Sequence, residues 1–241
     1  MYLSILSLLV ALLVGIASWY GGAGWLGGTL LGFAAFVVTW IVGVRRIGRR
    51  IGPLFEQAKL QIGAGKLQPA IATLKNLLPI GKWIPLLTGQ IHAQLGYLYH
   101  QAGDREEAIA HLSKAGRRAG DARLLLASMH AQDGKKADAL KLLADSLPFN
   151  RKHVLLHNTY AWLLLREGKR DEAIAVLTKL LLKESDANTT DNRLRLQNDK
   201  RMNMTPFGMM WYALGFERPP ASMGQMRTGQ KGFRQAPKRG R

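Results

Sequence analysis

The first 44 residues contain two long apolar runs without a single charged side chain. The runs extend over residues 3–20 and 25–44, and each approaches the roughly 20 residues that an α-helix needs to cross a bilayer core. Only residues 21–24 separate them, which leaves room for nothing longer than a tight turn. The pattern therefore predicts a transmembrane helical hairpin as the first domain, over residues 1–50.

Four arginines follow the second run at once: Arg45, Arg46, Arg49 and Arg50. Because basic residues mark the cytoplasmic end of a span, two spans place both termini in the cytoplasm. We therefore expect a multi-pass protein of the bacterial inner membrane whose arginines contact anionic phospholipid. The alternative is a cleaved signal peptide, but no basic residues precede the first run and no clear small-residue cleavage site follows it.

Small residues also recur along the second apolar run. Gly24, Gly28 and Gly32 are four residues apart and share one helix face, which allows another helix to approach closely. We favour packing between the two helices of the hairpin. Contact with a membrane partner is the alternative.

Beyond residue 50 the apolar positions take helical spacing and fall into similar units. In each unit a glycine precedes an alanine and a branched apolar residue: Gly65 with Ala70, Gly103 with Ala108, Gly134 with Ala139, and Gly168 with Ala173. The alanines lie 38, 31 and 34 residues apart. A period of about 34 residues is typical of stacked helix-turn-helix units. The small residues admit close helix crossings, and each glycine can end a helix.

The second repeat carries this pattern most completely. Its packing positions are Leu95, Gly96, Tyr99, Ala108, Leu112 and Ala115. Over residues 53–184 the chain resembles the tetratricopeptide repeat (TPR) family. The resemblance implies an all-α fold, in which a right-handed solenoid of about four helix-turn-helix repeats follows the transmembrane hairpin. The first repeat departs from the pattern at Gln57 and Gln61, as terminal repeats often do. The link over residues 79–85 marks a possible break in the stack.

TPR proteins bind peptides in a concave groove that the first helix of each repeat lines. Transferred to this sequence, the groove positions are Lys59, Tyr97, His100, Gln101, Ser128, Gln132, Asn158, Trp162 and Arg166. Such a lining suits a protein partner with an extended or helical, somewhat acidic segment, anchored at Tyr97 and Trp162. Two alternatives remain: several of these residues only meet solvent, or the chain's own C-terminus covers Trp162.

Residues 185–216 form a third region in which a polar stretch precedes an apolar one. The polar residues 188–200 predict a helix that caps the last repeat, beginning near Thr189, Thr190 or Asp191. Residues 205–216 are so apolar that they must be buried. We favour docking on the solenoid, with the membrane interface and a partner protein as alternatives.

Charge separates the last region, residues 217–241, from the rest. The chain has 34 Lys and Arg against 16 Asp and Glu, a formal net charge of +18, so anionic partners are expected. The tail carries no acidic residue after Glu217, and its composition predicts disorder. An alternative function follows from this tail: binding of nucleic acid or ribosomes at the membrane.

No pattern in the chain indicates catalysis. The chain has no cysteine, which excludes thiolate metal sites and cysteine nucleophiles. His153 and His157 have the spacing of a metal-binding pair, but no acidic neighbour completes a zincin motif. We expect no enzyme activity, no cofactor and no metal. The chain resembles membrane-anchored TPR proteins of bacterial envelope biogenesis, which implies a scaffold or adaptor that assembles a complex at the cytoplasmic face.

Overall fold

The computed structural model describes residues 2–220, and within them every regular element is a helix. The α-helices are α1 (Tyr2–Ser18), α2 (Gly24–Gly63), α3 (Leu67–Gly81), α4 (Leu87–Ala102), α5 (Arg105–Lys114), α6 (Gly120–Gln132), α7 (Lys136–Ser146), α8 (Val154–Arg166), α9 (Arg170–Leu181), α10 (Ala187–Gln197) and α11 (Gly208–Tyr212). The predicted all-α fold of TPR-type helix pairs is confirmed. The chain divides into two compact units, Met1–Leu126 and Ala127–Arg241, with the boundary inside α6.

The first unit begins with α1 packed along the first half of α2. A π-helical turn, Trp19–Ala23, joins the two helices, and Gly22 adopts a φ of 91° there. The apolar side chains of both helices are mostly exposed, including Leu13 and Phe33. By length and composition, Tyr2–Gly22 and the apolar part of Gly24–Gly63 are each able to cross a membrane.

Two of the three spaced glycines lie at the contact between α1 and α2. A Cβ atom on Gly28 would lie 2.8 Å from the backbone oxygen of Gly15, and one on Gly32 would lie 2.8 Å from that of Ala11. Gly24 is different, because it begins α2 with a φ of 66° and has open space around it. The close helix contact therefore involves Gly28 and Gly32, whereas Gly24 belongs to the turn.

Substitution of Gly28 by alanine is expected to loosen this contact. The added methyl group meets backbone, which cannot rotate away, so we expect a loss of about 1–3 kcal/mol in unfolding free energy, typical of overpacking. Thermal unfolding of the full chain in detergent measures the effect. Gly21→Ala is the matched control, because nothing lies within 4 Å of a Cβ there. Equal transition temperatures for the two variants would contradict the packing role.

Helix α2 continues without interruption from the apolar run into the first repeat. Its 40 residues include the four arginines and Pro53, and its last turns bury Ala58. Pro53 lacks an N–H and so cannot bond to the carbonyl four residues earlier, but the helix continues past it. As a result, no loop separates the apolar run from the repeat helix that packs on α3.

The first unit also contains two antiparallel helix pairs, α2 with α3 and α4 with α5. Gly65 and Gly103 lie in the turns with φ values of 71° and 84°, a backbone conformation that glycine adopts readily. At the crossing of α4 and α5, a Cβ on Gly96 would lie 2.5 Å from the Leu112 side chain. The small residues of the repeat pattern therefore stand where helices touch.

A histidine pair lies between α4 and α5. The Nδ1 atoms of His92 and His111 are 2.9 Å apart, and the His111 ring stacks on Tyr99 at 5.3 Å. Burial lowers the pKa of both imidazoles; the neighbouring His111 and Lys114 lower that of His92 further. For His111, Glu107 acts in the opposite direction, while Lys114 and Lys75 lower the pKa.

Acidification is therefore expected to destabilise the first unit. One Nδ1 must accept for the pair to bond, so double protonation breaks the contact. With both folded pKa values below the unfolded one, stability is complete above about pH 6.5 and is lost as the pH falls below it. Urea unfolding across this range measures the slope. A His92→Gln, His111→Gln variant should show a flatter profile, and an unchanged slope would contradict the assignment.

The second unit is built around α8 and α9. Their core combines Ala161, Leu164, Ala173 and Leu177 with Leu196 of α10, so α10 caps this helix pair. The Asp186 side chain caps α10 by accepting from the Thr189 backbone N–H at 2.7 Å. The helix thus begins slightly earlier than the sequence pattern predicts, because a carboxylate at Asp186 satisfies its first free amide.

Candidate functional site

The predicted groove residues of the first unit lie on two helices. Lys59 is on α2, whereas Tyr97, His100 and Gln101 are on α4. The α4 residues are spaced three and four apart, so they share one face; we call these three residues the α4 face. Lys59, His100 and Gln101 are exposed, which leaves them accessible to a partner.

Tyr97 is the half-buried member of the α4 face. Its hydroxyl group is enclosed and has no hydrogen-bond partner among the described residues. Burial raises the pKa of Tyr97, and the charge of Asp121 raises it further. At the edge of the same face, partial burial and then Arg105 lower the pKa of His100. At neutral pH the Tyr97 phenol and the His100 imidazole are therefore both uncharged, and the exposed imidazole can donate and accept hydrogen bonds.

Ser128 and Asn158 differ from the predicted groove because both are buried. The Asn158 amide donates to the Thr189 hydroxyl at 2.8 Å, and its oxygen accepts from the Asn192 amide at 3.1 Å. Asn192 in turn accepts from the Asn203 backbone N–H at 2.7 Å. These bonds connect α8 to α10 and to the chain beyond it, so Asn158 holds the fold together and is closed to a partner.

Trp162 is also covered, by the chain's own C-terminal segment, which we define as residues 199–217. The indole of Trp162 meets the ring of Trp211 edge-on at 5.1 Å and that of Phe216 at 5.0 Å. Trp211 is fully buried, and its Nε1–H donates to Glu217 at 2.8 Å. Docking of the apolar segment on the repeats, the alternative favoured from sequence, is the arrangement that the structure shows.

Gln132 makes a further contact with the C-terminal segment, and Arg166 lies over the covered Trp162 ring. The Gln132 side-chain amide donates to the backbone oxygen of Leu214 at 2.7 Å, and the Arg166 guanidinium lies 4.0 Å from the centre of the Trp162 ring. Beside them a cavity of about 190 Å³ remains between Phe216 and the repeat helices. Aromatic anchoring with amide contacts to backbone is the mode expected for a bound peptide, and here the chain itself supplies the peptide.

A larger hollow in the second unit was not predicted from the sequence. Its volume is about 490 Å³ and its lining combines apolar Leu147 and Val176 with cationic Arg151, Lys179 and Lys183. No motif identifies this lining, because its residues come from three separate stretches of chain, 144–151, 157–160 and 176–183. Their common charge suits acidic groups.

His153 and His157 have structural roles that engage the Nδ1 atom of each ring. His153 caps α8, since its Nδ1 accepts from the Leu156 backbone N–H at 3.2 Å. His157 Nδ1 lies 3.0 Å from the His153 carbonyl oxygen. Burial lowers the pKa of His157. Within residues 2–220, no cluster of three His, Asp or Glu side chains could hold a metal ion.

The basic tail lies for the most part outside the described residues, which end at Pro220. Its predicted disorder and its nucleic-acid contacts stay predictions. Glu217, the last acidic residue of the chain, is within the described part and accepts from Trp211.

Comparison with known proteins yields structural similarity alone. No family model matches the chain, and no curated protein matches it. Two solved structures of MamA align with 16% and 19% identity, cover 73% and 59% of this chain and 91% and 82% of theirs, and give TM-scores of 0.43 and 0.46. The TPR-like repeats of a Podosopora anserina protein assigned as a kinesin light chain align at 13% identity, covering 76% of this chain and 98% of that one, with a TM-score of 0.44. Similarities at this level say nothing about what this chain binds.

Proposed function

We propose that this protein is a membrane-tethered TPR-type scaffold that binds a protein partner at the cytoplasmic face of a bacterial inner membrane. The observation that carries the proposal is the continuity of α2. One helix contains an apolar run, four arginines and the first repeat helix. A chain anchored through this run therefore holds its repeats at the membrane surface without a flexible linker.

The four arginines give the tether its orientation. All four are exposed, and they follow the apolar run within two turns of helix. Basic residues in this position favour the cytoplasmic side and attract anionic headgroups, worth about 1 kcal/mol for each charge near the surface. The hairpin then places both termini and the repeats on that side.

The α4 face is the accessible part of the predicted groove. In the second unit the C-terminal segment engages the corresponding residues Gln132 and Trp162, and Arg166 lies over the Trp162 ring. On α4, His100 and Gln101 are exposed. Their imidazole and amide groups can donate hydrogen bonds to a partner segment and accept them from it.

Site-specific photocrosslinking in intact membranes tests this assignment. A benzophenone amino acid replaces Gln101 on α4 in one variant and Ser113 on α5 in the control, since both residues are exposed and belong to the two helices of one pair. We expect protein crosslinks several-fold stronger from position 101. Equal crosslinking from both positions would contradict recruitment through the α4 face.

A further inference from the structure

The loop between α3 and α4, residues 82–86, touches the very start of α1. The backbone N–H groups of Tyr2 and Leu3 donate to the carbonyl oxygens of Lys82 and Trp83 at 3.4 and 3.3 Å. The rings of Tyr2 and Trp83 meet edge-on at 5.6 Å. The loop thus satisfies amides at the beginning of α1 that have no partner within the helix.

The same contact fixes the level of the loop along α2. Leu3 is buried and packs on Gly43, where an added Cβ would overlap the Leu3 side chain. Arg45 lies two residues further along α2, about 3 Å along the helix axis. The loop therefore stands where the apolar run gives way to the arginines.

The loop exposes apolar side chains at this level. Trp83 is 43% exposed and Leu86 is 59% exposed. Leu86 also has a φ of 68°, in the left-handed region that L side chains disfavour. Exposure to water does not stabilise the Leu86 side chain. Tryptophan and leucine side chains are both suited to the membrane interface.

We propose that residues 82–86 form a second membrane contact, in which Trp83 and Leu86 lie among the lipid headgroups and upper acyl carbons of the leaflet that meets the arginines. The proposal rests on the proposed tether. A lipid surface is the occupant because the loop adjoins the end of both apolar helices, next to the exposed arginines that anionic headgroups attract. The first unit then contacts the bilayer at three places: α1, α2 and this loop.

Fluorescent reporters in the full chain test this contact. The chain has no cysteine, so a single introduced cysteine carries a nitrobenzoxadiazole label at one known position. Leu86→Cys reports on the loop and Val38→Cys on the apolar part of α2. Ala64→Cys is the control, because it follows α2 about 27 Å beyond Arg45 along the helix axis. Each protein is reconstituted in vesicles of equal parts phosphatidylcholine and phosphatidylglycerol.

We expect headgroup nitroxide lipids to quench the Leu86 label several-fold more than the Ala64 label, and Trp83→Ser to reduce that quenching. Acyl-chain nitroxides should quench the Val38 label in both backgrounds, which shows that the hairpin stays inserted. If the Val38 label is quenched while the Leu86 label behaves like the Ala64 label, the loop meets solvent or protein and the inference is overturned, although the tether stands. If the Val38 label also behaves like the control, the tether itself is wrong.

Discussion

Replacement of Trp211 by alanine is expected to lower the unfolding free energy of the second unit by about 3–5 kcal/mol, the usual cost of deleting a buried aromatic ring. Trp211 is fully buried and contacts Trp162 and Phe216 through its ring. Its removal leaves a cavity and takes away the hydrogen bond to Glu217. The C-terminal segment should then detach from α8 and expose Trp162.

Urea unfolding of the full chain in detergent, followed by circular dichroism, measures this effect. Hydrogen exchange over residues 199–217 reports directly on detachment, since a released segment loses its protection. Met210→Ala is the matched control, because Met210 is the neighbouring residue of α11 and is 63% exposed. A Trp211→Ala protein as stable as this control would contradict the docking of the segment.

Substitution of Asn192 by alanine is expected to cost about 2–4 kcal/mol, because it leaves buried polar groups unpaired. The Asn158 oxygen loses its donor, and the Asn203 N–H loses its acceptor. Both lie between α8 and the chain that covers it, where water has little access. The loss therefore includes the desolvation of groups that the fold cannot satisfy in another way.

A double-mutant cycle with Asn158→Ala separates this network from simple truncation. If the two asparagines act through their mutual bond, the losses should be non-additive by more than about 0.5 kcal/mol. Gln197→Ala, on the exposed surface of the same helix, should change stability little. Strictly additive losses would show that the asparagine pair contributes nothing as a pair.

The repeat architecture could be predicted from the sequence because each repeat contains the small side chains that its own helix crossing requires. Gly96 and Ala108 must be small wherever two helices cross, and Gly103 must turn the chain at a positive φ. Such requirements recur with every unit and so appear as a period. The turn of the hairpin followed in the same way, from the short glycine-rich link between two apolar runs.

The candidate groove was predicted less well, because the exposure of its residues depends on residues that are far away in the sequence. Gln132 and Leu214 are 82 residues apart, and no local pattern states that they meet. The repeat pattern predicts that Asn158 faces the groove. In the structure its side chain is instead hydrogen-bonded to the Thr189 hydroxyl and the Asn192 amide. The apolar character of residues 205–216 did require burial, but it did not specify the surface.

The continuity of α2 was not predicted from the sequence, for a different reason. Pro53 and the run of arginines both suggest a boundary, since proline disfavours a helix interior. Strong helical periodicity on either side overrides that preference, and Ala58 packs in register with the helix that began at Gly24. The consequence is functional: the tether and the first repeat are one element.

Sealed spheroplasts of a bacterium that expresses the protein provide the most direct test of the central claim, that the hairpin crosses the membrane and holds the repeats on its cytoplasmic side. Gly21→Cys lies in the turn between the candidate spans and Gln68→Cys on α3, and both positions are exposed. A membrane-impermeant maleimide should label position 21 in the sealed spheroplasts and position 68 only after detergent lysis. Labelling of both positions in sealed spheroplasts, or of neither before lysis, would contradict this topology.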